Sequence, residues 1–393
     1  MICKIGDNII SALGFTTDEN YRQVKLGNTG LRRHEGLFGI NEPAMVSLID
    51  KQLLEKKFAT LPQKNTVRYT PLEMAAILSA SDAINEAGID VSSERVLFVL
   101  STTKGNVDVI KDNTRDDLSQ NRNTQIYLWR SAQLIAEFFG NKNTPLVVSN
   151  ACISGAAALL AAKQELESGR YDYAVVVGAD MLCKFIISGF QSFKALSQDI
   201  CKPFDAQRVG LNLGEAAATI VLRQCDMRFA NNADAFSQIG KSQIVLQSGV
   251  VRNDANHISG PSRTGEGLFR ALHKTLQSVD IQQIAFINAH GTATPYNDAM
   301  EEIAIARAGL EAAPVNSLKG YFGHTLGAAG ILESIISARA LEENTVLPTL
   351  GFETAATDSK VNVANKLMRT QKPYFVKLLS GFGGCNAALV FQK

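Results

Sequence analysis

A cysteine sits within Ser149-Asn150-Ala151-Cys152-Ile153-Ser154-Gly155, where one apolar run ends and an alanine-rich one begins. A thiol at such a strand-to-helix corner faces the positive end of a helix dipole, which is expected to lower its pKa below the free value of about 8.5. The thiolate is the reactive form, so the position suits a covalent nucleophile. The plainer reading is a buried structural cysteine. Further on, Ile287-Asn288-Ala289-His290-Gly291-Thr292-Ala293-Thr294 delivers a histidine and two hydroxyls from the end of another apolar run. Asp298 and Glu301 follow, in what reads as the first turns of a helix. A third segment, residues 316–330, joins Lys319 to His324 among glycines that permit close backbone approach. Taken alone, Lys319 reads equally as a solvated surface charge and His324 as a helix cap. The fourth segment, Ser380-Gly381-Phe382-Gly383-Gly384, is either a glycine-rich hairpin turn or a loop that presents N–H donors beside a mobile Phe382.

The elements that must carry these residues are legible as runs. Residues 96–101, 145–150, 173–180, 217–222, 284–290 and 387–392 read as strands, several of them continuously apolar, as expected for strands covered on both faces. Residues 71–87, 154–168, 266–278, 298–309 and 327–342 read as helices. The alternation predicts an α/β fold with central sheets between helices. An internal echo goes further. Cys152-Ile-Ser-Gly-Ala-Ala is matched by His324-Thr-Leu-Gly-Ala-Ala, and Gly214-Glu-Ala-Ala-Ala by Gly384-Cys-Asn-Ala-Ala, in the same order. This predicts duplicated halves, residues 1–230 carrying Cys152 and residues 231–393 carrying His290, Lys319 and His324.

Composition excludes several classes. Among 393 residues, 39 Lys plus Arg balance 38 Asp plus Glu, so whole-molecule binding to nucleic acid is not expected. No apolar run reaches the roughly 18 residues of a membrane span. The first residues lack the pattern of a secretory signal, and six scattered cysteines are no disulfide framework, so a reducing cytoplasm is expected. All cysteines except Cys152 then read as small buried hydrophobes.

Together the four segments resemble the β-ketoacyl-acyl-carrier-protein synthases, decarboxylating condensing enzymes of the thiolase-like fold. The resemblance rests on NACISGAAALLAA, KPFDAQRVGLNLGEAAATIVL, NDANHISGPSRTGEGLFRAL, NAHGTATPYNDAMEEIA, NSLKGYFGHTLGAAGILESI and SGFGGCNAALVF, which run from about residue 70 to the end. It implies a five-layer α-β-α-β-α architecture and an acyltransferase. Cys152 would take an acyl group, and a malonyl-carrier thioester would lose carbon dioxide and attack it. The N–H groups of Cys152 and Phe382 would form the oxyanion hole, with Phe382 as a gate. His290 and His324 would donate to the malonyl thioester oxygen, with Asp298 and Glu301 supporting and Lys319 paired with Glu301. Thr292 and Thr294 would hold the phosphopantetheine arm, and neither cofactor nor metal is implied.

The partner implied is an acidic acyl carrier protein, with Lys64, Arg68, Arg122 and Arg130 as docking candidates. A dimer is also implied, with itself or with a homologous chain-length-factor-like subunit, and the apolar strand at 173–180 is the candidate free edge. The sequence departs from the pattern in an eroded opening strand, in its Asn-Ala-Cys-Ile-Ser-Gly nucleophile segment and in Val209, where an acidic residue is common. These departures suggest polyketide or aryl-polyene synthesis rather than housekeeping fatty-acid elongation. Two other readings stand beside this one. A thiolase would act on coenzyme A esters and use Cys385 as its base. A chain-length factor would lack the nucleophilic cysteine, which this chain keeps.

Overall fold

The computed structural model describes residues 1–62, 67–112, 124–225, 244–356 and 359–393. In the first half the strands of the main sheet are β1 (Ile2–Ser11), β2 (Val96–Ser101), β3 (Leu146–Val148), β4 (Tyr173–Asp180) and β5 (Ala216–Gln224). The second half contributes β6 (Val245–Asn253), β7 (Ile284–Asn288), β8 (Pro314–Asn316), β9 (Asn362–Val363), β10 (Tyr374–Gly381) and β11 (Cys385–Gln392). They join in one sheet, in the order β9-β8-β7-β10-β11-β6-β1-β5-β4-β2-β3. Each half runs parallel at its outer end and antiparallel toward the middle: β3, β2 and β4 are parallel, then β5 and β1 are antiparallel. Likewise β8, β7 and β10 are parallel, then β11 and β6 are antiparallel. The halves meet at a short pairing of Ile2 and Cys3 with Leu246 and Val245.

Helices complete five layers. In the first half they include α1 (Pro71–Ala87), α2 (Leu128–Phe138), α3 (Ser154–Glu167) and α4 (Lys184–Ser192). In the second they are α5 (Glu266–Thr275), α6 (Pro295–Arg307), α7 (Lys319–Phe322) and α8 (Ala329–Glu342). α1 and α2 cover the outside of the first half-sheet, and α5 covers the outside of the second, with α6 packed on it. Between the half-sheets lie α3 and α8, which touch each other and strands of both halves. That central position explains why both helices are apolar on nearly every face. They approach at glycine: a Cβ on Gly330 would lie 2.5 Å from the Ala156 nitrogen, and one on Gly155 would lie 2.9 Å from the Ile331 nitrogen. Both halves thereby bring the start of a central helix to the same place.

Local chemistry sets the ends of the elements. Thr70 and Glu73 form a capping box at the start of α1, Pro71 occupies its first turn, and Gly88 closes it in the left-handed region. The opening sequence that departs from the glycine-rich pattern still forms a strand. β1 spans ten residues in mid-sheet, and its Lys4 is neutralised by Asp7 and, at 3.6 Å, by Glu342. Two expectations are corrected. The strand at 173–180 is not an edge, because β4 pairs with both β2 and β5; among the described residues the edge of the first half is β3, half-buried and paired only with β2. Cys3 and Cys225 form a disulfide that joins β1 to the end of β5, so they are not free thiols as the composition suggested. The boundary expected near residue 230 lies outside the described residues.

Candidate active site

Cys152 occupies a strained corner. Ala151 before it takes a positive φ of 43°, a conformation costing non-glycine residues about 1–3 kcal/mol and held only where surroundings enforce it. The enforcing group is Ser154, whose hydroxyl accepts from the Asn150 N–H at 2.7 Å and donates to the Ala151 carbonyl at 2.6 Å. No side chain caps the start of α3; the Ile153 and Ser154 N–H groups instead turn back onto the Asn150 and Ala151 carbonyls, each at 3.2 Å. Leu326 and Ala293, which flank the two histidine segments, also have positive φ.

The sulfur of Cys152 and a ring nitrogen from each of His290 and His324 lie within 4.8 Å of one another. The two imidazoles meet edge to face with centroids 5.0 Å apart. His290 follows β7, and its backbone is clamped by Glu301 of α6. One carboxylate oxygen accepts from the His290 N–H and the other from the Gly291 N–H, both at 2.7 Å. His324 is fixed through its own backbone, donating to the Asn212 carbonyl at 2.7 Å and accepting from the Gly214 N–H. Its Nδ1 accepts from the Leu326 N–H at 3.2 Å. A neutral ring with Nδ1 as acceptor carries its proton on Nε2, and that nitrogen has no partner among the described residues. A single donor is therefore left aimed away from the backbone.

Electrostatics keep this centre uncharged. Burial, reinforced by the Lys319 ammonium, depresses both histidines well below the ordinary imidazole range. Burial pushes the Cys152 thiol up to about 12, and neighbouring Cys385 adds to this. Lys319 and the N–H groups of Phe382 and Cys152 oppose the rise without cancelling it. The low thiol pKa expected from the helix dipole is thus corrected. A helix terminus contributes at most about 2 kcal/mol, whereas full burial can shift a group by about 3–5 pKa units.

Lys319 is wholly buried rather than solvated, and its ammonium pairs with Glu333 of α8, not with Glu301 as the resemblance implied. The other oxygen of Glu333 lies 2.5 Å from Lys377 of β10. Neither Glu333 nor Lys377 was singled out in the sequence. The available signal was a lone charge inside an apolar run, Ile331-Leu-Glu-Ser-Ile335 and Tyr374-Phe-Val-Lys-Leu-Leu379. Burial raises Asp298 to about 6, and burial plus the Asp298 charge raises Glu301 to about 7.

A cavity of about 540 Å³ opens onto Cys152, His290 and His324. Thr292 and Thr294 line it with their hydroxyls 2.9 Å apart. Phe382 lines it too, its ring against Phe190 and Phe193 at 5.7 and 5.2 Å. The glycine loop is a hairpin turn between β10 and β11, and main-chain bonds hold it: Gly383 donates to Ile258, and Asp254 donates to Gly384. Asp254, also missed in the sequence, accepts from the Gly267 and Ser262 N–H groups and the Asn386 amide. Of the docking candidates, Lys64 and Arg122 lie outside the described residues. Arg68 and Arg130 do not line the cavity, and Arg130 pairs with Glu137; the lysine on the cavity wall is Lys194.

A profile of the β-ketoacyl synthase N-terminal domain matches residues 30–226, and one of the β-ketoacyl synthase C-terminal domain matches residues 243–353. The chain belongs to the β-ketoacyl synthases. As a member of that family it is an acyltransferase of the condensing type. It is 33% identical over 260 residues to 3-oxoacyl-[acyl-carrier-protein] synthase 2 of Rhizobium meliloti (strain 1021), a match spanning 63% of this chain and 60% of that relative. It is 28% identical to nodulation protein E of Rhizobium meliloti, over 100% of this chain and 97% of the relative. Among solved structures, a β-ketoacyl synthase from Burkholderia phymatum STM815 superimposes with a TM-score of 0.86 at 26% identity, covering 100% and 99% of the two chains. A ketosynthase in complex with its chain length factor, from Xenorhabdus doucetiae, shares the fold with a TM-score of 0.84 at 22% identity, covering 100% and 97%.

Proposed function

We propose that this β-ketoacyl synthase loads an acyl group from a carrier-protein thioester onto Cys152, then decarboxylates a malonyl-carrier thioester and joins the two. The carrying observation is the convergence of Cys152, His290 and His324 in one cavity wall. In the loading step the Cys152 sulfur attacks the thioester carbonyl while a neutral histidine takes its proton; the C–S bond to the carrier's phosphopantetheine then breaks, and the leaving thiol takes that proton, so the histidine is neutral again. The N–H groups of Cys152 and Phe382, which oppose the rise in the thiol pKa, suit the developing oxyanion. In the second step the C–C bond to the carboxylate breaks, and its electron pair becomes the enolate. Charge then builds on the thioester oxygen, where the Nε2–H of His324, joined by His290, suits it in a dry site. The enolate carbon attacks the acyl carbonyl, the C–S bond to Cys152 breaks, and the expelled thiolate takes a proton from solvent to regenerate the thiol. Thr292 and Thr294, which line the cavity, would hold the phosphopantetheine arm, and the proposed chemistry calls for no resident cofactor.

The thiolase alternative is weakened by Cys385, which does not line the cavity and donates to the Phe382 carbonyl at 3.2 Å. An acyl carrier protein docking at the mouth near Lys194, and a polyketide or aryl-polyene role, extend the proposal; exposed Val209 at the cavity mouth supports the specialised branch. A partner chain, identical or of the chain-length-factor type, is proposed along the β3 edge, giving about 85 kDa from twice 42.5 kDa. No described helix is long and apolar enough to cross a membrane; the location we propose is the cytoplasm, where the Cys3–Cys225 disulfide would be open to reduction. We also place the boundary of the duplicated halves near residue 230. The test is release of labelled carbon dioxide from malonyl-carrier thioester by the purified protein. Release supports the proposal; cleavage of acetoacetyl-coenzyme A without it would favour the thiolase.

A further inference from the structure

Lys377 projects from β10 into the interior and is fully buried. Its ammonium donates to three main-chain carbonyls, Leu378 at 2.9 Å, Ala289 at 3.2 Å and Asn288 at 3.4 Å. The carboxylate of Glu333, 2.5 Å away, closes the cage. Asn288 and Ala289 are the residues immediately before His290. Burying a charge this deeply is costly unless each donor is used, and breaking one partner of such a set leaves the rest uncompensated. Nothing in the proposed chemistry has Lys377 touch substrate, so the cost calls for a role.

We propose that Lys377 is a positioning residue for the decarboxylation step: its ammonium fixes the end of the strand that carries His290 and supplies the second positive charge on Glu333. Two ammonium groups share one carboxylate, so the Lys319–Glu333–Lys377 set keeps a net charge of +1 beside the histidines. The groups facing this set are Lys319, Glu333 from α8, Glu301 from α6, His290 after β7 and His324 before α8. Positive charge there disfavours the imidazolium form of both histidines and keeps them neutral donors. Lys377 contributes in that sense at both histidines, and its own pKa is lowered by burial to about 8.

The proposal rests on the condensing-enzyme reading, and its test includes a readout that needs no substrate. Histidine NMR titration of the full chain follows all five histidines, with His290 and His324 assigned by substitution. Lys377→Met keeps the bulk and removes the charge; it is expected to raise the titration of His290 and His324 by about one unit, the scale of a nearby charge. Lys377→Ala empties the cage, and its carbon dioxide release is expected to fall on the order of 10–10²-fold, as for a misplaced catalytic group. Ethylammonium, which can refill the carbonyl cage, should reverse both effects in Lys377→Ala, whereas tetramethylammonium, with no N–H, should reverse neither. If Lys377→Met fails to fold, Lys377→Ala with and without ethylammonium carries the titration. Histidine titrations unmoved by loss of the charge, or a folded Lys377→Ala indifferent to ethylammonium, overturn the proposal. Wild-type carbon dioxide release tests the condensing reading separately.

Discussion

The thiol of Cys152 offers the sharpest prediction, because two physical effects on it have opposite signs. A dipole-activated cysteine is a thiolate at neutral pH; a desolvated one is not. With a pKa of about 12, the thiolate fraction at pH 8 is about 10⁻⁴, against about a quarter for a free thiol near 8.5. Iodoacetamide should therefore alkylate Cys152 on the order of 10²-fold more slowly at pH 8 than it alkylates a free thiol, the loss in thiolate fraction being partly offset by the greater nucleophilicity of a more basic thiolate. The logarithm of the rate should climb with unit slope from pH 7 to 10 without a plateau. Lys319→Met removes a cation that opposes the rise, so it should slow alkylation further across that range. The assay is the mass-resolved modification of the Cys152 peptide against time and pH. A plateau below pH 8, or faster labelling in Lys319→Met, would refute the claim that burial outweighs the helix dipole here.

Other predictions follow from the same geometry. His324→Ala should cost about 10²–10³ in carbon dioxide release, roughly 2.7–4 kcal/mol, while acyl loading of Cys152 persists; His324→Gln, which keeps an amide N–H at the reach of Nε2, should recover part of it. Gly330→Ala forces a Cβ to within 2.5 Å of the Ala156 nitrogen and should destabilise the chain by about 1–3 kcal/mol in denaturant unfolding. Asp298 and Glu301 bind protons more tightly in the folded chain than unfolded, so their joint contribution to stability should fall as pH rises from about 4 through 7. Glu301→Gln should flatten that slope in a pH series of unfolding free energies.

The sequence was a good guide wherever one signal had one physical cause. α1 is bounded by its capping box and Gly88, and the spans read for it and for the strands at 96–101 and 173–180 coincide with the structure. Cys152, His290 and His324 were legible because small residues crowd around each. What failed were inferences about pairing across space. Lys319 has two acidic candidates at similar sequence distances, Glu301 and Glu333, and only the turn through α7 and α8 decides for Glu333. Lys377 sits in a strand between Val376 and Leu378, and its carbonyl cage is assembled from β10, the end of β7 and the residue after it, which are far apart in the chain. The edge was misplaced for a related reason: β3 is short, and strand order follows from crossovers that hydrophobicity does not encode. The Cys3–Cys225 pair, separated by 222 residues, exists because β1 lies antiparallel beside β5.

The central claim is that Cys152 carries the acyl group while the histidines break the malonyl carboxylate bond. Incubating the protein with acyl-carrier thioester, digesting it and weighing the Cys152 peptide tests it most directly, with Cys152→Gln run beside it on malonyl-carrier thioester. The account predicts one acyl mass on Cys152 and on no other cysteine, and continued carbon dioxide release from folded Cys152→Gln. An unmodified Cys152 peptide, or a folded Cys152→Gln that releases none, would contradict it.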